Sequence, residues 1–544
     1  MGLSNTGSSC FDIARVAGYS LLPLPPASTI PLIEDPVGTW GSYPGAARMR
    51  KRSCGLGAQC SAGVRSLAQA SDSMQFTRRE ALGVGFAGVA ISCDSRGRAA
   101  VATEVLRRFT PEMFGAKGDG VANDTPAFVR LAAAVNQSRG GLIELRSRTY
   151  VVGMQTTHAD GQERYSYYPS PILALKNCNL PLIIRGHGAR MVCASGLRYG
   201  VFDQAGAPRQ HEMPYFGSGL ATPYSAMVRI EGCSGIVQID DLELDGNLQN
   251  LRIGSQYGDT GWQLPAVGLA LLDNSGAEIL AGIYTHHHGQ DGLYVDGQDM
   301  PSEVERRVLG LHADHNARQG CSVVGGRGYR FEHCRFTRTG KANLYSAPGA
   351  GVDLEAEGKK TNRDIAFVAC EFSDNRGCGM IADNGDTSDV HFEGCSFVGT
   401  TTWSAWPNRP SIQFKKCEFL GAIANAYGDA NPDLATSFTE CTFRDDPRHS
   451  PTREVFGATL ADLSTSQNVA FDRCTFLATD QAVIPWSTRA RYVNCRMQQK
   501  STRTAYPRGL FIGENIIQAP VDLHGSHNEG TLIVNGHLIL EKEL

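Results

Sequence analysis

Residues 392–397 read F-E-G-C-S-F, and variants of this hexapeptide recur through the second half of the chain. The other copies are F-E-H-C-R-F (331–336), F-V-A-C-E-F (367–372), F-K-K-C-E-F (414–419), F-T-E-C-T-F (438–443), F-D-R-C-T-F (471–476) and Y-V-N-C-R-M (492–497). Their cysteines are 21 to 36 residues apart, and similarity at such a period indicates a repeat architecture. Because one unit is too short to bury its apolar face alone, successive units must stack on one another.

The hexapeptide also predicts the shape of each unit. In Phe-x-x-Cys-x-Phe, one strand ends, the chain turns at the two middle residues, and a second strand begins with inward-facing Cys and Phe. Stacked units then place like residues above like at the spacing of neighbouring strands, ~4.8 Å. The sequence therefore predicts an all-β fold, a single-stranded parallel β-helix.

Seven of the sixteen cysteines lie in this repeat. Side chains in register on parallel strands point the same way and not at each other, so the geometry of a disulfide is not met. We therefore expect a ladder of buried thiols that act as small apolar groups. The alternative is a disulfide framework, as in many exported proteins.

Composition excludes several functions. The 544 residues carry a net charge of −4, and 19% are charged, which argues against a nucleic-acid partner or an acidic membrane surface. No apolar run reaches the ~18 residues that a membrane span requires. We expect neither a nucleic-acid partner nor a membrane span.

The first hundred residues differ from the rest. Residues 1–73 are rich in Pro, Gly, Ser and Arg without periodicity, which predicts an unstructured upstream extension. Residues 74–102 contain Arg78-Arg79 followed by an apolar segment, and they resemble a twin-arginine export signal. We therefore expect a bacterial protein that the twin-arginine export machinery delivers to the periplasm or the exterior.

The segment after this signal carries a family resemblance. F-G-A-K-G-D-G (114–120) and N-D-T (123–125) precede a helical pattern with an apolar stripe, for which Asp124 or Thr125 is the expected cap. G-G-L-I-E-L (140–145) then opens the first strand. This run closely resembles the start of pectate-lyase-like (rhamnogalacturonase/epimerase-like) right-handed β-helix proteins, in which the helix caps the solenoid. The resemblance implies a cap segment at 103–141, a β-helix at 142–518 and closing strands at 519–544.

The resemblance implies action on polysaccharides without choosing the reaction. Members of the superfamily include lyases, hydrolases, uronate epimerases and phage depolymerases, and fold alone does not separate them. The hydrolase-type Gly186-His187-Gly188 precedes Asp240-Asp241, whereas in that family it follows an Asp pair. We expect an exported enzyme that cleaves glycosidic bonds, as a glycoside hydrolase or a polysaccharide lyase. The alternatives are a uronate C5-epimerase and a non-catalytic glycan-binding or envelope protein.

One strand singles out the candidate site. In G-A-G-V-D-L-E-A-E (349–357), strand alternation places Asp353, Glu355 and Glu357 on one face. Aligning the coils by a recurrent Gly gives an outward column of Tyr294, Ser322, Asp353 and Gly379. The small Ser322 and Gly379 would leave a trough around Asp353, with long insertions at 247–265, 300–308 and 344–348 as walls.

Two carboxyl groups in such a trough suit acid–base chemistry on a sugar. The expected catalytic residues are Asp353, Glu355, Asp291 and Arg318. The expected substrate-binding residues are His288, Tyr294, Asp296, Gln319, Asp383 and Trp262. The alternative is a solvated strand whose acids pair with arginines.

No resident metal is predicted. His286, His287 and His288 are consecutive, and three consecutive residues of a strand cannot all face one ion. If the reaction were β-elimination, the acids would instead bind Ca²⁺ or a uronate carboxylate, and Arg318 or a histidine would remove the C5 proton.

Overall fold

The computed structural model describes residues 106–157, 165–203, 205–210, 219–257 and 261–544. The upstream extension and export signal expected over residues 1–102 lie outside these ranges. Within them, the chain forms one α-helix, Thr125–Ser138, and a long series of short strands. Four 3-10 turns accompany them, at Pro111–Phe114, Leu248–Asn250, Pro447–His449 and Glu541–Glu543.

The strands stack in three parallel columns, here called sheets 1, 2 and 3, and each coil contributes a strand to sheet 3, then sheet 1, then sheet 2. Sheet 1 contains Arg108–Phe109, Gly141–Glu144, Glu278–Ala281, Arg306–Leu309, Tyr329–Glu332, Ile365–Val368, Val390–Glu393, Ile412–Lys415 and Ser437–Thr439. Sheet 2 contains Asp119–Asn123, Thr149–Val152, Tyr284–His286, His312–Asp314, Arg335–Thr337, Glu371–Ser373, Ser396–Val398, Glu418–Leu420, Thr442–Arg444, Thr475–Ala478 and Arg496–Gln499. Sheet 3 contains Leu173–Lys176, Ala226–Glu231, Val267–Leu272, Asp291–Asp296, Gln319–Arg327, Ala350–Leu354, Met380–Ala382, Ala405–Pro407 and Ile423–Ala424.

Longer strands turn a corner and join two or three sheets. They are Leu182–Cys193, Val237–Asp245, Ala461–Asp472, Trp486–Val493, Pro507–Gln518 and His527–Val534. Asn362–Arg363 pairs beside sheet 3, and a separate five-stranded sheet consists of Gln155–Thr157, Tyr165–Pro169, Arg198–Val201, Leu220–Ala221 and Arg252–Ile253. The expected fold, an all-β parallel β-helix, is confirmed.

Two ladders of aromatic rings run through the interior. In sheet 1, Phe331, Phe367, Phe392, Phe414, Phe438, Phe471, Tyr492 and Phe511 stack with ring centroids 4.6 to 5.5 Å apart. In sheet 2, Phe336, Phe372, Phe397, Phe419, Phe443 and Phe476 stack at 4.6 to 5.3 Å. The two ladders meet edge to face, the other favourable geometry of aromatic pairs. The repeated Phe positions of the hexapeptide therefore form the core.

The corner between the two Phe positions has a constant geometry. The residue before each repeat cysteine adopts a left-handed backbone conformation, as in Ala369 (φ 52°) and Lys416 (φ 53°). The cysteine that follows points inward, and its thiol lies near a carbonyl oxygen of the preceding coil, as in Cys395 Sγ to Phe367 O at 3.4 Å. All twelve cysteines of the described ranges are buried and free, in agreement with the expected thiol ladder.

The helix covers one end of the solenoid. Phe128, Leu131 and Val135 are fully buried, and the Asn136 side chain bonds the outer edge of strand Leu173–Lys176 through Ala174 O (3.0 Å) and Lys176 N (2.8 Å). Asp124 does not cap the helix as expected, because its carboxylate accepts hydrogen bonds from Lys117 N and Gly118 N in the preceding turn.

At the far end, strand His537–Ile539 pairs antiparallel with His527–Val534 and closes the stack. In the ranges that the structure describes, no helix has the length and apolar character needed to cross a bilayer.

The aromatic ladder predicts the effect of removing one ring. Phe397 is fully buried between Phe372 (4.6 Å) and Phe419 (4.9 Å), so Phe397→Ala leaves a cavity and breaks two stacked contacts. We expect a loss of about 3–5 kcal/mol in unfolding free energy, measured by chemical denaturation. Leu538→Ala is the control, because Leu538 is 58% exposed on the terminal hairpin. An equal effect of the two substitutions would contradict the ladder's role.

Candidate functional site

Sheet 3 differs from the other sheets because its central strands are buried on both faces. Every residue of Asp291–Asp296 and Ala350–Leu354 is buried, as is nearly all of Gln319–Arg327. Such burial on both faces means that loops cover the outer surface of the sheet. Ser346 N donates to Ala317 O (2.9 Å), and Gly261 lies against Tyr345 and Ser346. Residue 261, in the insertion 247–265, therefore meets the insertion 344–348 beside the start of these strands.

The register corrects the sequence alignment at one coil. Tyr294, Ser322 and Asp353 are paired neighbours as expected, but Asp353 pairs with Ile381 and not with Gly379. The strand that follows Asp353 begins only at Met380, two residues later than the alignment assumed. The trough beside Asp353 is therefore bounded by Ser322 on one side and by a buried Ile381 on the other.

Asp353 is held in place by Gln319. The Gln319 side chain donates from Nε2 to Asp353 Oδ2 (2.7 Å) and accepts from Ala350 N through Oε1 (3.0 Å). Asp353 is 6% exposed, and burial raises its pKa well above 3.8, with a further rise from Glu355 and an opposing effect from Arg318. Burial therefore favours the acid form of the Asp353 carboxyl group.

Asp291 is a second buried acid of the same face. It is fully buried, and Ser322 Oγ donates to its Oδ2 (2.9 Å), whereas its Oδ1 has no hydrogen-bond partner in the described part of the chain. Burial raises the pKa of Asp291 to about 6, although Arg318 opposes the shift. An unsatisfied oxygen on a buried carboxyl group is costly, and the raised pKa makes Asp291 a candidate functional residue.

Three further carboxyl groups lie where the strands end. Glu355 follows strand Ala350–Leu354, and Asn384 Nδ2 donates to its Oε1 (2.6 Å). Because Asp353 pairs with Ile381, Glu355 lies opposite Asp383 in the next coil. The pKa of Asp383 is raised by burial and then by Glu355.

Glu357 is half-buried, and its pKa is raised to about 7 by burial and then by Glu355. Glu357 belongs to the acidic stretch 349–357 but is not among the catalytic or substrate-binding residues expected from the sequence. The strand alternation that pointed to Asp353 and Glu355 also pointed to it.

Arg318 is the cation of this group. Its charge lowers the pKa values of Asp291, Asp353 and Glu357, and in each case burial outweighs it. One guanidinium therefore opposes the raised pKa values of three acids without reversing the rise in any of them. The structure brings together Asp291, Arg318, Gln319, Asp353, Glu355, Glu357 and Asp383, here called the carboxyl cluster.

The structure places the other candidates away from the reach of a large substrate. Tyr294 faces outward but is fully buried in an apolar group with Ala270 and Val324. His288 points into the solenoid, where its ring nitrogens bond Tyr224 OH (2.8 Å) and Leu244 O (3.1 Å), and burial lowers its pKa to about 3. Both side chains are fully buried, and their expected roles in substrate binding stay predictions.

Trp262 and Asp296 lie at the margins. Trp262 is half-buried, packs against the core and donates from Nε1 to Gly254 O (3.2 Å). Asp296 forms an ion pair with Lys360 at the far end of its strand, and burial raises its pKa despite this partner.

Candidate metal-ligand atoms converge on a different sheet from the carboxyl cluster. Calcium takes six to eight oxygen ligands at short range. Among the described residues, three acid or histidine ligand atoms converge within 4.8 Å of one another at Asp245, His286 and His287, on a different sheet, and not within the cluster. Binding of Ca²⁺ by the cluster stays an expectation for the case of β-elimination.

Comparison with known proteins gives one curated relative. It is a depolymerase specific for the KN3 capsule from Klebsiella phage KN3-1, 49% identical over 361 residues. The match covers 58% of this chain, and the chain spans only 40% of that relative's length. No family model matches the sequence.

Several solved structures resemble the chain at low identity. The N-terminal fragment of gene product 12 of bacteriophage phi29 has a TM-score of 0.47 at 12% identity and covers 79% of this chain and 72% of its own. The A-module of a mannuronan C-5 epimerase from Azotobacter vinelandii has a TM-score of 0.44 at 12% identity, covering 78% and 99%. A tailspike capsular polysaccharide depolymerase of Acinetobacter baumannii bacteriophage Fri1 has a TM-score of 0.35 at 11% identity, covering 80% and 64%.

The raised pKa of Asp291 predicts a pH-dependent stability. Its carboxyl group has a pKa of 3.8 when unfolded and about 6 when folded, so the folded state binds more protons between these values. The stabilisation by the protonated form is complete below about pH 4 and is lost as the pH rises through 6. We expect Asp291→Asn to exceed the wild type in unfolding free energy at pH 7.5, by up to about 3 kcal/mol.

Thermal unfolding of both proteins at pH 4, 6 and 7.5 measures this difference. The difference should be largest at pH 7.5 and absent at pH 4. Asp433→Asn, at an exposed aspartate, is the control. A constant difference across the three pH values would contradict a raised pKa at Asp291.

Proposed function

We propose that the chain is a polysaccharide depolymerase that hydrolyses glycosidic bonds at the carboxyl cluster. Asp353 is the general acid and Glu355 the general base. The observation that carries the proposal is that Asp353, which is buried and has a raised pKa, lies two residues before Glu355 at the outer side of sheet 3. Two carboxyl groups in different protonation states are what glycoside hydrolysis requires.

The proposed reaction gives each carboxyl group its own proton-transfer role. The Asp353 carboxylic acid donates its proton to the glycosidic oxygen as the C1–O bond breaks. The Glu355 carboxylate removes a proton from the water that attacks C1. Residues two apart on a strand are ~6.5–7 Å apart at the backbone, and carboxyl separations of ~6.5–9.5 Å suit inversion at C1.

The neighbours of Asp353 support this assignment. The Gln319 amide fixes Oδ2 by donating to it, which leaves Oδ1 as the oxygen that carries the proton. Glu355 raises the pKa of Asp353 and so keeps the acid protonated while Glu355 itself acts as base. The charge of Arg318 opposes this rise in the pKa of Asp353.

The substrate class is supported by the curated relative. That phage protein is a capsule depolymerase, and the chain shares 49% identity with it over 361 residues. We therefore propose a capsular polysaccharide as substrate. Acids on the outer face of a long solenoid suit a chain-like sugar polymer that binds across several coils.

The test is cleavage of a panel of acidic and neutral capsular polysaccharides by the full chain. We expect new reducing ends without ultraviolet absorbance from a ring double bond. Asp353→Asn and Glu355→Gln should each lower the rate on the order of 10²–10⁴-fold, because each removes one proton-transfer group. Asp433→Asn is the matched control and should cleave like the wild type.

Other outcomes contradict the proposal in distinct ways. Ultraviolet absorbance that rises with the reducing ends would identify β-elimination and exclude the hydrolytic roles of Asp353 and Glu355. Activity that survives both substitutions would place catalysis elsewhere. Absence of cleavage on any polysaccharide in the panel, in protein shown to be folded, would favour an epimerase or a glycan-binding protein.

A further inference from the structure

A second polar group lies on the outer side of sheet 2, away from the carboxyl cluster. It is formed by Asp245, at the end of strand Val237–Asp245, and by His286 and His287 in the next coil. Strands Val237–Asp245 and Tyr284–His286 are paired so that Asp245 lies directly opposite His286. The three side chains therefore bridge two successive coils.

His286 and His287 face the same side because the strand ends between them. His286 is the last residue of its strand, and His287 adopts a left-handed conformation with φ of 54°. This turn breaks the alternation that would send consecutive side chains to opposite faces. His288 then points into the core. The rule that three consecutive histidines cannot share an ion still holds, but two of them can.

The three ligand atoms converge. His286 Nδ1 lies 2.7 Å from His287 Nδ1 and 3.7 Å from Asp245 Oδ1, and one ligand atom from each residue lies within 4.8 Å of the others. In tetrahedral zinc sites, Zn–N bonds of ~2.0–2.1 Å place two nitrogens about 3.3 Å apart. The two nitrogens need to separate by about 0.6 Å to admit an ion. His287 is half-buried and lies at a corner of the chain.

The surrounding residues orient these ligands. Glu243 Oε1 lies 3.3 Å from His286 Nε2, so that ring donates to Glu243 and turns its Nδ1 lone pair toward Asp245 and His287. Metal-binding histidines characteristically donate their other N–H to a carboxylate in this way. Asp245 Oδ1 accepts from Asn247 N (2.7 Å), and Arg190 pairs with the other oxygen.

His315 packs against His287. Its ring stacks on His287 with centroids 5.0 Å apart and planes 6° from parallel, and its Nδ1 bonds Asp314 Oδ2 (2.9 Å). It supports His287 without being a ligand. The group thus has two imidazoles and one carboxylate, which is a donor set that binds divalent transition metals.

We propose that Asp245, His286 and His287 bind one divalent transition-metal ion of the zinc class. The ion joins two neighbouring coils of sheet 2 and so stabilises the solenoid. This metal site shares no residue with the carboxyl cluster. Its test therefore does not depend on whether the proposed glycosidic cleavage is correct.

Titration of the untagged full chain with Zn²⁺ and with Co²⁺ tests the site. We expect one ion per chain, a rise in the thermal midpoint with either ion, and no such rise with Mg²⁺ or Ca²⁺, which prefer oxygen ligands. Bound Co²⁺ should show visible absorption typical of nitrogen and oxygen ligands. Strong thiolate-to-cobalt charge-transfer absorption would instead place the ion at cysteines and overturn the assignment.

His287→Asn is the decisive variant. Asparagine tolerates the left-handed conformation of residue 287, so the backbone corner is kept while a ligand is lost. We expect affinity to fall by on the order of 10²-fold or more, since loss of supporting residues alone costs 10–100-fold. Glu243→Gln, which removes only the orienting carboxylate, should cost about 10–100-fold.

His391→Asn is the matched control, because His391 is a half-exposed histidine paired with Asp389 and is not part of the group. It should bind one ion with unchanged affinity. Equal binding by wild type and His287→Asn would overturn the proposal, as would a wild-type chain that binds no ion.

Discussion

The stacking of each coil on its neighbours is the constraint on which the rest of the structure depends. A single coil has a few short strands whose backbone hydrogen bonds all go to other coils. Its inward rings, such as Phe392, acquire a core only when Phe367 and Phe414 lie above and below at 4.9 and 4.8 Å. Insertions are therefore tolerated between strands, where they leave the register intact, and not within them. The loops over sheet 3 occupy such positions, which is why a covered site can form there.

The left-handed corner residue is the second determinant, because it decides which side chains face inward. A non-glycine residue in this conformation costs roughly 1–2 kcal/mol, yet it recurs at Ala369, Lys416 and Glu440 before successive cysteines. Regular repetition lets each corner stack on an identical one, so the local strain is offset by inter-coil contacts. The same conformation at His287 brings two consecutive histidines to one side. Corners therefore shape both the core and the outer surface.

The fold can be predicted from the sequence because the hexapeptide that specifies one coil occurs in seven copies. Each copy of the hexapeptide gives the same information, so an error in one copy does not matter. The acidic stretch 349–357 that indicates the candidate site, in contrast, has no repeated copies to support its interpretation. Asp353 and Ser322 were found because strand alternation and the recurrent Gly agree there, but the next coil starts its strand late, at Met380, and the pairing with Ile381 could not be read from a pattern of period two. Burial of Tyr294 and His288 depends on loops and distant residues, for which the local sequence holds no signal.

The carboxyl cluster opposes the stability that the ladders supply. Burying Asp291 with an unpaired oxygen and Asp353 beside Glu355 disfavours the folded chain wherever these groups would ionise. The same burial favours the acid form of Asp353, so the destabilising feature and the one that the proposed reaction uses have a common cause. A fold whose stability comes from many equivalent inter-coil contacts can carry such a cost at one sheet without losing its register. The stability that the aromatic ladders supply therefore offsets the cost of burying acids on the outer face of sheet 3.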